Sequence, residues 1–316
     1  MVEGIGALPT VVPDRRARTG YLMVVTAALL WAVNGTVSKV MLLGGMPATD
    51  LTELRASGAF ACLLVLVLAT APAALRITRR ELPAIAVYGL VGFAAVQLLY
   101  FVALQRLEVG IALLIEFTAP VFVAVWARFV LHQSVRGQVW AALALSLGGL
   151  AVVAQVWHGG TLDTLGVLAA LGAAVSLAVY FLLGEHIVAH RDPVSLTCLA
   201  FGCSALFWAA ARPWWRFPFH LLGGDVPLLG HLHGHRLPLW LLAGWLVLFG
   251  TVVPFSLSIG ALRHLRAAQV GVVGMVEPVA ASVVAFAWLG EELTWAQVVG
   301  GGVVLVGIVL AETARS

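Results

Sequence analysis

"ALQRLEVGIALLIEFTAPVFVAVWARFVL" (residues 103–131) aligns without a gap on "ALRHLRAAQVGVVGMVEPVAASVVAFAWL" (residues 261–289). The two share Ala103/Ala261, Leu104/Leu262, Leu107/Leu265, Pro120/Pro278, Val121/Val279 and Leu131/Leu289, and the same register extends to Gly149/Gly307. An unbroken register that keeps a proline in place indicates an internal duplication. Each copy also sets one carboxylate, Glu116 or Glu277, inside an apolar run.

The runs around these stretches are long. Of 316 residues, 61% are hydrophobic and 10% charged, and the mean hydropathy is +1.01, which belongs to integral membrane proteins and not to soluble domains. Apolar segments recur near 21–43, 51–73, 83–104, 109–130, 138–157, 164–184, 194–211, 237–258, 267–289 and 295–312. About 20 helical residues cross the ~30 Å hydrocarbon layer. The predicted fold class is therefore all-α integral membrane, with ten transmembrane helices. A β-barrel would need alternating strands of ~10 residues, and these runs are continuously apolar. The leading "DRRARTGYLMVVTAALLWAV" is too long for a signal-peptide core and is read as a retained span.

A fainter echo pairs Gly20–Asn34 with Gly166–Tyr180 through the opening glycines and the pairs Ala27-Ala28 and Ala173-Ala174. The repeats are then residues 20–157 and 158–312, between tails of 1–19 and 313–316. Five spans per half is an odd number, so the second half is predicted to run through the bilayer in the opposite sense. Such inverted repeats place a cavity at mid-membrane on their pseudo-two-fold axis.

Basic residues set the orientation. With the N-terminus cytoplasmic, 12 arginines (Arg15, Arg16, Arg18, Arg76, Arg79, Arg80, Arg128, Arg136, Arg191, Arg263, Arg266 and Arg315) fall on the inner side, against Arg106, Arg212, Arg216 and Arg236 outside. Both tails are predicted to be cytoplasmic, in a multi-pass protein of the cell membrane. The net charge of +3 reflects this bias, and no basic stripe with interleaved aromatics suggests a nucleic-acid partner. Cys62, Cys198 and Cys203 sit in apolar runs without metal-ligand spacing and read as small buried hydrophobes.

"YFVALQRLEVGIALLIEFTAPVF" and "GALRHLRAAQVGVVGMVEPVAASVVAFAWLGEELTWAQVVGGGVVLVGIVLAE" resemble the two EamA-type repeats of the drug/metabolite transporter superfamily. The "LEVGIALLIEFTAP" portion is similar to its threonine/homoserine exporter branch. The resemblance covers nearly all of residues 20–312, and "EPV…LGEELT…Q…G" is its most specific part. The first repeat departs from that pattern, with His132 where Gly290 stands and Gln133 where Glu291 stands. The resemblance implies ten helices, both termini inside, and export or exchange of small metabolites, often amino acids. It does not fix the substrate.

A carboxylate at the bilayer centre costs roughly 2.5–3.5 kcal/mol, so Glu116 and Glu277 are expected to face a cavity or a partner. Glu116 lies four residues before Pro120 and Glu277 one before Pro278, a difference of three that leaves both on nearly one helix face. Proline frees the carbonyl four residues back, here that of Glu116 or Gly274, which can receive a substrate ammonium or a cation. The plainer alternative is a protonated glutamate at a structural kink. Asn34 beside Trp31, Gln97 and Tyr100, Thr118, Tyr180, and Ser256 and Ser258 after Pro254 complete the candidate site, although helix packing explains each of them as well. In "DLTE", Asp50 and Glu53 read as a capping box, whereas Arg55 must snorkel or meet an anion such as a substrate carboxylate. Lys39 is expected to snorkel.

"HLHGH" (His231, His233, His235) and the pair His186 and His190 raise metal binding, but the loop has prolines, glycines and no fixed carboxylate partner and the helical pair lies at the predicted cytoplasmic boundary, so no metal or other cofactor is expected. Gly300, Gly301, Gly302 and Gly307, with Gly148 and Gly149, form thin helix faces suited to close packing between the halves or to a homodimer. The leading expectation is a secondary transporter exporting a small polar metabolite by alternating access. A multidrug or cation carrier on the same fold remains open, as do a non-transporting scaffold and an intramembrane enzyme, though neither H-E-x-x-H nor G-x-S-x-G is present.

Overall fold

The computed structural model describes residues 15–130, 137–153, 162–188, 191–261, 264–265, 273–274 and 276–315. His132, Gln133, Arg136, His190, Arg263 and Arg266 lie outside the described residues, as does the predicted boundary between the repeats at 157/158.

Helix α1 (Arg15–Leu43) turns through Gly45, whose φ of 102° suits glycine, into α2 (Ala48–Thr70). Helix α3 (Leu82–Leu104) contains one π turn at Leu90–Ala95. Then follow α4 (Val109–Glu116), α5 (Ala119–Phe129), α6 (Gly137–Val153), α7 (Thr164–Val188) and α8 (Pro193–Ala211). A loop with the antiparallel strands β1 (Asp225–Pro227) and β2 (Arg236–Pro238) leads to α9 (Leu239–Ala261), α10 (Val276–Leu289) and α11 (Trp295–Arg315). Six helices among the described residues (in α1, α2, α3, α7, α8 and α9) are long and apolar enough to cross a membrane. The pair α4/α5, with α6, α10 and α11, occupies the other four predicted spans in shorter described pieces.

The prolines divide into two kinds. Pro120 lies in the first turn of α5, not inside a continuous helix: α4 ends at Glu116, and Thr118 closes it with its N–H (3.1 Å) and its hydroxyl (2.7 Å) on the Ile115 carbonyl. A missing N–H costs little there, because the first turn of a helix lacks those bonds anyway. Pro278 is preceded by helical residues at 273–274 as well as 276–277. Pro254 is inside α9, just beyond a second π turn at Leu248–Val252. The two π turns start 158 residues apart (90 and 248), the same offset that carries Ala103 onto Ala261.

The "LGEELTWAQ" segment (residues 289–297) has a local mechanical reading. Gly290, at φ 74°, ends α10, with its own N–H on Phe286 and that of Glu291 on Ala285. Thr294 and Gln297 then form a reciprocal capping box that opens α11: Thr294 N–H donates to Gln297 Oε1 at 2.8 Å, and Gln297 N–H to Thr294 Oγ1 at 3.3 Å. Asp192 caps α8 through the Ser195 N–H at 3.0 Å, with Pro193 next to it.

Packing follows a paired plan. Helix α1 lies against α9 and α10, and α7 lies against α3 and α4/α5. Helices α2 and α8 pack on each other, as do α4 and α10, and α6 and α11. Taking α7 as the counterpart of α1, α8 of α2, α9 of α3, α10 of α4/α5 and α11 of α6 maps this set of neighbours onto itself. The glycine faces are used inside the chain: a Cβ on Gly149 would stand 2.7 Å from the Gly300 carbonyl and 2.8 Å from the Val304 nitrogen. Gly148 and Gly302 have open space instead.

Candidate functional site

Arg55, two turns into α2, is 4% exposed, and a charge so placed needs acceptors. Its Nε donates to Thr251 Oγ1 at 2.8 Å and its Nη2 to the Gly250 carbonyl at 3.1 Å, both on α9. Pro254, four residues beyond Gly250, has no N–H to give that carbonyl. The Thr251 hydroxyl in turn donates to the Leu246 carbonyl at 2.8 Å. The guanidinium also stands 5.7 Å over the Phe101 ring. A proline-freed carbonyl of the kind read from the sequence therefore stands at Gly250, a position the sequence reading did not name. Gly250 and Thr251 were the residues missed, and the signal was the position four residues before a proline inside a helix.

Around this anchor the structure gathers charge from four helices. Tyr100 on α3, Glu116 at the end of α4 and Glu277 on α10 all lie within electrostatic reach of Arg55, and Glu116 and Glu277 reach each other. Glu116 and Tyr100 are buried, and Glu277 is half-buried. Gly35 lets the Tyr100 hydroxyl approach α1, since a Cβ there would be 3.0 Å from it. Asn34 is buried against the same turn of α9 that holds Arg55: a Cβ on Gly250 would fall 1.9 Å from Asn34 Oδ1. That oxygen has no hydrogen-bond partner among the described residues.

Trp31 and Tyr180 belong to an aromatic wall. Trp31 meets Phe255 edge-on at 5.2 Å, Phe255 touches Phe93 and Phe201, and Phe93 touches Tyr180. Tyr180 stacks on Tyr88 with centroids 5.4 Å apart. Gln97 is half-buried, three residues before Tyr100 on α3. Thr118 and Ser256 spend their hydroxyls on the Ile115 and Val252 carbonyls. Two carboxylates and one pinned guanidinium in a low-dielectric setting are complementary in charge to a small ion carrying both an ammonium and a carboxylate group.

A second polar cluster lies at the helix ends. Lys39 does not snorkel: its Nζ donates to Glu291 Oε1 at 2.5 Å and to the Leu107 carbonyl at 2.6 Å. Glu291 Oε2 accepts the Val109 N–H at 2.9 Å, capping α4 from a distant part of the chain. Burial pushes the neighbouring Glu108 carboxyl above its usual range, the Glu291 charge adds to this, and Lys39 opposes it. The expected capping box at Asp50 and Glu53 does not form, because α2 starts at Ala48 behind Pro47; Asp50 pairs instead with Arg212 at 2.8 Å. His231 and His233 place Nδ1 against the Ala287 and Gly230 carbonyls, and no metal-ready group of His, Cys, Asp or Glu occurs among the described residues.

The EamA-like transporter family matches residues 18–155 and again residues 164–313. The chain belongs to the EamA-like transporter family. This EamA chain is 28% identical over 302 residues to an uncharacterized transporter of Archaeoglobus fulgidus, covering 94% of this chain and 97% of the relative. It is also 28% identical over 244 residues to the threonine/homoserine exporter RhtA of Escherichia coli K12, covering 77% and 75% of the two chains. A solved crystal structure at 20% identity superposes with a TM-score of 0.63, covering 94% of this chain and 98% of that one, and so shares the fold. Together with its spanning helices, family membership makes the EamA chain a multi-pass membrane transporter.

Proposed function

We propose that the chain is a secondary transporter that exports a small polar metabolite, an amino acid or a close relative, across the cytoplasmic membrane by alternating access. The observation that carries this reading is the buried Arg55, fixed to α9 and sharing its field with Glu116 and Glu277. Arg55 receives the substrate carboxylate, and the two glutamates receive its ammonium. Asn34 and Tyr100 complete the polar lining, and Trp31, Gln97 and Tyr180 shape the wall. A proton and an ammonium compete for the same carboxylates, which is the requirement for exchange between them. The chain performs no catalysis and needs no cofactor in this reading, and its partners are the substrate and the lipid bilayer.

Ten spans in two inverted five-helix repeats, 20–157 and 158–312, give the two halves that rock against each other. Support comes from the double family match, the shared offset of the π turns and the self-mapping helix contacts. Helices α2 and α8, counterparts in this scheme, run antiparallel, as inversion requires: Asp50 meets Arg212, and Phe60 lies against Gly202. Both termini are cytoplasmic by the arginine bias. Gly148 and Gly302 remain available for a homodimer. An efflux screen of amino acids, nucleosides and cationic drugs from loaded proteoliposomes tests the proposal. Efflux confined to amino acids supports it, and efflux of drugs alone replaces it with a cation carrier.

A further inference from the structure

Helix α2 has a second polar face. Asp50, Glu53 and Ser57 recur at i, i+3 and i+7, the spacing of one helix stripe, and Phe60 continues it. This stripe faces α8. It is pinned at one end by the Asp50–Arg212 pair at 2.8 Å, and at the other by Phe60, whose ring is 2.9 Å from where a Cβ on Gly202 would be. An antiparallel pair held at those two points brings Trp208, one turn before Arg212, opposite Glu53 and Ser57. Between the pins, Glu53 Oε1, Ser57 Oγ and Trp208 Nε1 are all buried without a hydrogen-bond partner among the described residues. Glu53 is 1% exposed and Trp208 5%.

One orphaned polar atom is tolerable, but three at one interface call for a ligand, because a buried polar atom left unpaired loses its hydration without compensation. The set combines an obligate donor, a hydroxyl and a carboxylate oxygen. Water satisfies all of them at once. A metal cation does not, since the Trp208 N–H offers it no ligand. Of the charges around Glu53, Asp50 on the same helix is already paired with Arg212 of α8. Arg55 projects from the other side of α2 to α9, Tyr100 on α3 answers Arg55, and α9 carries no ionisable side chain. The Glu53 charge is therefore the one left to neutralise at this interface.

We propose that the α2–α8 interface is a proton-binding site, in which the Glu53 carboxylate takes up one proton through water held by Ser57 and Trp208. The proton enters at the Arg212 end, where that side chain is 40% exposed, and adds to a Glu53 oxygen to give the neutral acid. Glu53 and Arg55 are two residues apart, about 200° around the helix. The same rigid helix thus carries the proton site on one side and the substrate anchor on the other, a direct route for coupling. That coupling rests on the transport reading, whereas the protonation itself does not.

The test is pH-difference infrared spectroscopy of the full chain in lipid, read at the C=O stretch of protonated carboxyl groups. A titrating band that disappears in Glu53→Gln, persists in the Glu116→Gln, Glu277→Gln double variant and shifts in frequency in Ser57→Ala is the expected result. A band unchanged in Glu53→Gln overturns the proposal, as does a Ser57→Ala protein that folds and leaves the band in place. A band displaced by sodium at constant pH replaces the proton with a metal cation and also overturns it. Efflux from the same preparations is expected to lose its pH dependence in Glu53→Gln. Absence of any efflux from the unaltered chain counts against the transport reading and leaves the infrared result standing.

Discussion

Arg55 donates to the carbonyl oxygen of Gly250 at 3.1 Å, the acceptor that Pro254 leaves without its usual helical donor. A proline in α9 thereby becomes a receptor for a guanidinium on α2. Replacing Pro254 by alanine restores an N–H that competes for the Gly250 carbonyl, so Arg55 is held less firmly. The expected outcome is a folded protein with efflux slowed several-fold. Arg55→Lys keeps the charge but loses the planar fork, and is expected to cost about tenfold or more in rate, equivalent to ~1.4 kcal/mol. Initial efflux rates from proteoliposomes check both.

Adjacent glycines on α6 give a matched stability test. A methyl on Gly149 meets backbone atoms of Gly300 and Val304 at 2.7 and 2.8 Å, which cannot swing aside as a side chain can. Gly149→Ala is expected to destabilise by roughly 1–3 kcal/mol, whereas Gly148→Ala, with open space around it, stays within about 0.5 kcal/mol. Thermal unfolding in detergent separates the two.

Glu291 ties three segments together, accepting from Lys39 at 2.5 Å and from the Val109 N–H at 2.9 Å. Glu291→Gln leaves the Lys39 ammonium, largely shielded from solvent, without its counter-charge, at an expected cost of roughly 1–3 kcal/mol. Adding Lys39→Met removes the stranded charge and is expected to recover part of the loss. The interaction energy from this double-mutant cycle is the measurement.

Glu108 makes stability depend on pH in a defined sense. Its folded carboxyl titrates above the unfolded one, because of burial and then the nearby Glu291 charge. The folded state therefore binds the proton more tightly, and stability falls as pH rises through the two values. Glu108→Gln removes that penalty. The variant is expected to unfold at a higher temperature than the parent at neutral pH, with the difference vanishing below the unfolded carboxylate range. Melting curves across pH check the sign.

The large features were legible because they are periodic or local. Apolar runs announced the spans, the 158-residue offset announced the duplication, and Glu116, Glu277 and Arg55 stood out as charges within apolar sequence. Pairings across the chain were not legible: Lys39 and Glu291 are 252 residues apart, and nothing near Lys39 distinguishes an ion pair from snorkelling. The π turns were hidden too, since a one-residue widening of a helix leaves apolar periodicity nearly unchanged. At "DLTE" the capping pattern was present, but Pro47 starts α2 earlier and carries Asp50 and Glu53 inside the helix.

In the proposed site Glu116 and Glu277 share one substrate with Arg55. The most direct test of that sharing is amino-acid efflux from proteoliposomes containing the Glu116→Gln, Glu277→Gln double variant, with folding verified by an unchanged thermal transition or elution profile. Efflux is expected to fall to the level of empty liposomes while the protein remains folded. Efflux at the rate of the unaltered chain rules out the shared site.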